Sequence, residues 1–161
     1  RNGEMSLPIK YQELANFLGI KLEERALISE VRTAVLALRA SKGMLLDAND
    51  PNSWSAGSFF INPILSQEQA VKLPEGAPRW PQNDGRIKTS AAWLMEHAGV
   101  KKGDVHAGAH VSTKHVLALV NGGTATATDI AELARNARGR VKEVFGITLE
   151  PEVHFVGLTL E

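Results

Sequence analysis

The sequence predicts an α+β fold with a small, mostly antiparallel sheet packed against helices. Two observations carry this. Helical and extended patterns are mixed without strict alternation, and the connections before two of the strands are too short for parallel crossovers. In addition, one long helix near the C-terminus is strongly one-sided, which requires a sheet or layer to cover its apolar face.

In chain order, "YQELANFLGI" reads as a short helix ending at Gly19, and "KLEERAL" leads to a firmer one. Ser29 is expected to cap "EVRTAVLALRASKG", where Val31, Ala34, Val35 and Leu38 form a stripe and Lys42 and Gly43 mark the exit. From Met44 to Ser55 the composition is that of a loop. "GSFFINPIL", bounded by Gly57 and Pro63, suits a buried strand. Ser66 with Gln69 makes a capping box for a small helix, followed by the loop "PEGAPRWPQNDG" and a strand at "RIKTS". Ser90 caps "AAWLMEHAG", and a glycine-bearing connection leads to an apolar strand, "HVLALVN". Ile130, Leu133, Ala134, Ala137, Val141, Val144 and Phe145 repeat at three and four up to Gly146. "ITLEPEVHFVGL" closes the chain as extended structure, with Pro151 at an edge or bend.

Composition narrows the function. The 161 residues carry 18 basic and 18 acidic side chains, so the net field expected of a nucleic-acid or membrane-surface binder is missing. The absence of cysteine removes disulfides, thiolate nucleophiles and zinc ribbons, and is compatible with the cytoplasm as the default compartment. No apolar run approaches the roughly 20 residues that span a bilayer. The chain opens on Arg1 with Met5 inside, and is expected to be cut from something longer.

His106, His110 and His115 could suggest a metal site, but spacings of four and five in a loop entering a strand put no two rings on a shared face by necessity, no nearby carboxylate other than Asp104 completes a set, and no metal site is expected. "NGGTATATD" could cradle a phosphate, yet lacks the lysine of a P-loop, and a turn followed by a Thr126–Asp129 cap is the simpler reading. Ser58 lies in no G-x-S-x-G elbow and could be a strand-end serine. Lys42 could merely stabilise a helix C-terminus. Trp80, beside Arg79, is either a loop anchor or a stacking surface for a planar ligand.

Five stretches taken together are more specific: "RASKG", "AGSFFINP", "RWPQNDGRIKTSAAWL", "AGAHVSTKHVLALVNGG" and "VFGITLEPEVHFVG". In this order they resemble the C-terminal part of the MurB family of peptidoglycan-precursor flavoenzymes, from about Leu7 to Gly157. The resemblance implies a remnant or linker over 1–26 and a substrate-binding domain over 27–161. It implies an oxidoreductase in which NADPH reduces FAD and the flavin passes hydride to UDP-N-acetylglucosamine enolpyruvate, giving UDP-N-acetylmuramate. Ser58 would donate the proton to the neighbouring carbon, and Glu152 would be the second catalytic residue, protonated or sharing a proton when substrate is bound. Lys42 and Asn62 would hold the substrate, with Arg39, Lys102 and His115 as further contacts. Trp80 falls where many relatives have tyrosine, and can stack but not offer a hydroxyl. The flavin-binding part, the expected covalent partner, would lie upstream; this chain alone is expected to hold no FAD and not to turn over. The alternative is a nucleotide-sugar binding module without chemistry.

Overall fold

In a computed structural model, residues 3–160 are described, and they fall into two compact units divided between Leu46 and Asp47. The boundary expected after residue 26 lies inside the first unit, between its two helices.

The first unit contains α1 (Gln12–Leu18) and α2 (Ile28–Ser41), joined over a small core of Ile9, Leu14, Ala15 and Ala34. Gly19 ends α1 in the left-handed conformation at φ 68°, giving its N–H to helix carbonyls. Ser29 does not cap α2. The helix starts two residues earlier, after Leu27, because a Met5–Leu27 bridge and the Ile28 N–H to Glu4 carbonyl bond (2.8 Å) satisfy its first turn from outside. At the other end Lys42 is the cap, Gly43 is left-handed at φ 67°, and Met44 N–H reaches back to the Arg39 carbonyl at 2.8 Å.

The second unit holds β1 (Ser55–Ser58), β2 (Ile64–Leu65), α3 (Gln67–Val71), β3 (Trp80–Pro81), β4 (Ile87–Lys88), α4 (Ala91–His97), β5 (Val105–His106), β6 (Ala109–Val111), β7 (Ala118–Asn121) and α5 (Ala127–Phe145). Every pairing is antiparallel, and the strands divide between two sheets, ordered β1-β7-β6-β5 and β2-β4-β3. The α+β architecture is therefore the expected one. α5 turns Leu133, Ala134, Ala137 and Val141 into a core shared with Val111, Leu119, Leu94 and Met95. Both capping boxes and the Ser90 cap form as the sequence predicts.

Three elements differ from expectation. "GSFFINPIL" is not one strand: β1 stops at Ser58, Phe60 bridges to Pro151, and only Ile64–Leu65 pair again. "HVLALVN" becomes extended only at Ala118, since the Ala118 N–H turns back to the His115 carbonyl at 3.0 Å. The glycine-bearing connection contains the β5–β6 hairpin. Its left-handed turn residue is Ala107 at φ 50°, whereas Gly108 is needed for space: a Cβ there would sit 2.6 Å from the Ala125 nitrogen.

Candidate functional site

Ser58 ends β1 and lies opposite Ala118 of β7. Just before it Gly57 adopts φ 82°, a conformation that costs an L-residue about 1–2 kcal/mol, and the β1–β7 register is irregular here. Just after it, Phe59 and Phe60 are 5% and 1% exposed and meet edge to face at 5.1 Å. Two consecutive buried rings require that this segment be covered on both sides.

The cover on one side is the 150–152 segment. Phe60 pairs with Pro151, Ile61 N–H bonds to the Glu150 carbonyl at 3.0 Å, and Glu152 N–H bonds to the Phe59 carbonyl at 2.8 Å. On the other side Phe59 N–H bonds to the Leu117 carbonyl at 2.8 Å. Glu152, far from Ser58 in sequence, is thus brought opposite Phe59, the residue that follows Ser58. The Ser58 hydroxyl is half-buried and the Glu152 carboxyl exposed, and neither makes a side-chain hydrogen bond among the described residues.

Asn62 has a structural task that sequence reasoning missed. Its Oδ1 accepts the Ala91 N–H at 2.9 Å, capping α4 together with Ser90 Oγ, which takes the Trp93 N–H. Its amide nitrogen has no partner among the described residues. His115 precedes β7, and its Nδ1 accepts the Leu117 N–H at 3.1 Å.

Trp80 lies on β3, an edge strand where Pro81 costs no ladder bond. It is 46% exposed and directly opposite Lys88, which in turn faces Ile64. Opposed residues share a sheet face, so Trp80 and Lys88 together present a ring and an ammonium group. Lys88 was missed; the alternation of "RIKTS" against "RWP" was the available signal. Arg79 is not a stacking partner for a ligand, because its guanidinium bonds the carbonyls of Leu73 (2.8 Å) and Ala77 (3.0 Å) at the end of α3.

Lys102 is exposed and forms no ion pair among the described residues. Lys42 and Arg39 belong to the first unit, where they line a groove with Tyr11, Leu38 and Met44, and Lys42 pairs with Glu13. The histidines do not assemble a metal site among the described residues. His106 pairs with Glu132 at 2.7 Å and His97 stacks on Trp93 at 3.7 Å.

The glycine loop "NGGTATATD" offers no cradle for a dinucleotide phosphate. Asn121 Oδ1 takes the N–H groups of Gly123 (2.8 Å) and Ala125 (3.1 Å), and the Asp129 carboxylate takes that of Thr126 at 2.7 Å. The Thr126 bonds hold the Asp129 carboxyl below its ordinary value, so a negative charge already occupies the start of α5.

Comparison with known proteins matches residues 50–156 to the family model described as UDP-N-acetylenolpyruvoylglucosamine reductase, C-terminal domain. The chain is 53% identical to the UDP-N-acetylenolpyruvoylglucosamine reductase of Cutibacterium acnes, over 98% of its own length and 42% of that protein. The corresponding protein of Thermobifida fusca is 47% identical over 98% of this chain and 47% of its own. The crystal structure of UDP-N-acetylenolpyruvylglucosamine reductase from Thermus caldophilus is 30% identical, covering 83% of this chain and 37% of that one, with a TM-score of 0.45. The chain spans less than half the length of these relatives. The match over residues 50–156, with two close relatives of the same name, shows that the chain belongs to the UDP-N-acetylenolpyruvoylglucosamine reductase family, whose C-terminal domain it contains.

Proposed function

We propose that the chain is the substrate-binding part of a cytoplasmic oxidoreductase of peptidoglycan precursor synthesis, acting on UDP-N-acetylglucosamine enolpyruvate with FAD and NADPH. The observation that supports this best is the pairing of residues 59–61 with 150–152, which brings Glu152 to the segment that follows Ser58. Among the described residues no helix is long and apolar enough to cross a membrane.

Flavin chemistry supplies a hydride for the methylene carbon of the enolpyruvyl ether. We place its binding site in the part of the relatives that this chain does not span. The chain's own task is the proton. Ser58 Oγ–H breaks as a C–H bond forms at the carbon next to the substrate carboxylate, and solvent returns a proton to the serine oxygen. A hydroxyl is a weak acid, so the transfer requires a dry and fixed site. Phe59 and Phe60 exclude water, and the Gly57 turn fixes the strand end. Glu152 acts as hydrogen-bond donor to the carboxylate that accumulates charge, a role in which an ionised carboxylate would repel. Trp80 stacks on the uracil while Lys88 meets the diphosphate, and Asn62 Nδ2 and His115 hold the sugar part. Lys102 faces phosphate; within the first unit, Lys42 and Arg39 offer cationic groups for an anion.

Titration calorimetry of this chain with UDP-N-acetylglucosamine enolpyruvate tests the reading. Saturable heat without turnover, lost in a Trp80→Ala, Lys88→Ala double variant that still folds, is the expected result. Silence of the unaltered chain overturns it.

A further inference from the structure

One side-chain oxygen joins two loops beside the Ser58 strand. Asn52 Oδ1 accepts three hydrogen bonds: from Ser112 Oγ–H (2.9 Å), Thr113 N–H (2.9 Å) and Thr113 Oγ–H (3.1 Å). The orientation of this carboxamide is fixed from its other end. Asn52 Nδ2 donates to Asp50 Oδ1 at 3.2 Å, while Asp50 Oδ2 pairs with Lys114 Nζ at 2.8 Å. A flipped amide would set its NH2 group against the Thr113 N–H and its oxygen against the Asp50 carboxylate.

Ser112 is fully buried, and it uses the whole capacity of a hydroxyl. Its proton goes to Asn52, and its oxygen accepts the N–H groups of Lys114 (3.1 Å) and His115 (3.4 Å). From there the bonds continue without a gap. His115 Nδ1 accepts the Leu117 N–H, which places the proton of the neutral ring on Nε2. The His115 carbonyl accepts the Ala118 N–H, and the Leu117 carbonyl accepts the Phe59 N–H, immediately after Ser58.

We propose that Asn52 is a positioning residue for the reaction: through Ser112 it sets the tautomer of His115 and the place of the strand end that carries Ser58. The proposal rests on the reading of Ser58 and His115 as site residues. Its physical content is that a buried serine can orient two backbone amides only while its own proton has a fixed acceptor, and Asn52 is that acceptor. If the cluster merely stapled a loop, its loss would lower stability everywhere and leave the ring chemistry alone.

The test uses the chain labelled with nitrogen-15. Long-range proton–nitrogen spectra report the His115 tautomer, and hydrogen exchange reports the amides of Phe59, Leu117 and, as a distant control, Val141 in α5. Asn52→Ala is expected to give mixed tautomers at His115 and at least tenfold faster exchange at Leu117 and Phe59, with Val141 within twofold of its original rate. Asn52→Asp, which keeps an acceptor oxygen, is expected to restore the single tautomer. A folded Asn52→Ala protein with unaltered His115 signals overturns the proposal, as does equal loss of protection at Val141. Calorimetry on the same samples separates the two readings. An unaltered chain that ignores the UDP-sugar but shows these ring and exchange effects defeats the substrate assignment alone and leaves the relay from Asn52 standing.

Discussion

The segment that carries Ser58 and the sheet that carries Trp80 belong to the same unit but are built by opposite means. Around Ser58 the backbone is bonded on both sides, to Leu117 and to Glu150 and Glu152, and Phe60 and Leu149 beneath it are 1% and 0% exposed. Around Trp80 the strands are two residues long, only Leu65 and Ile87 of the paired positions are buried, and Trp80 and Ile64 are 46% and 45% exposed. A proton donor tolerates little displacement, and the proposed role of Ser58 suits the end of a strand anchored by the core. A ring that stacks on a base can adjust, and the proposed role of Trp80 suits a small surface sheet.

The contrast can be broken from either side. Phe60→Ala is expected to cost about 3–5 kcal/mol, read as a lower midpoint in urea unfolding, because the ring is fully enclosed. A loss below about 1 kcal/mol would mean that the segment is loose. Asn62→Ala leaves the Ala91 N–H without its acceptor and is expected to cost about 1–2 kcal/mol, with Asn62→Asp recovering most of it. Trp80→Ala should change stability by less than about 1 kcal/mol, since nearly half of the residue faces solvent, while weakening UDP-sugar binding by roughly tenfold. Equal losses of stability at Phe60 and Trp80 would erase the distinction.

The smallest effect lies at the surface, in the acid limb. The Lys114 hydrogen bond holds the Asp50 carboxyl below its ordinary value of 3.8. A carboxyl lowered on folding stabilises above its unfolded pKa, and that contribution is lost as pH falls through the folded one. Urea midpoints of the unaltered chain and of Asp50→Asn should therefore differ above pH 3.8 and converge as the pH is lowered further.

How much of this was legible depends on how far apart the partners lie. α5, with its three-and-four repeat and its Thr126–Asp129 box, and α4, with its Ser90 cap, are local and were readable. The two ends of the Phe60–Pro151 bridge carry no local mark of each other, and Ser58 and Glu152 were linked by resemblance alone. Asn62 reads as part of a strand because the helix it caps begins 29 residues later. The β5–β6 hairpin was hidden since its left-handed position is Ala107, while the adjacent glycine serves close packing against Ala125. Asn52 had no signal at all in a loop rich in Asp, Asn and Pro; only the fold brings Ser112 and Thr113 to it.

The central claim is that the Ser58 hydroxyl and the Glu152 carboxyl act on one carbon centre. Its most direct test is single-turnover oxidation of reduced flavin by the enolpyruvyl substrate, in a reductase that joins this chain to the flavin-binding part of the family. Ser58→Ala should slow product formation by roughly 10²- to 10⁴-fold with substrate affinity nearly unchanged, and Glu152→Gln should retain more activity than Glu152→Ala. A Ser58→Ala rate within a few-fold of the original, or equal losses for the two Glu152 variants, would contradict it.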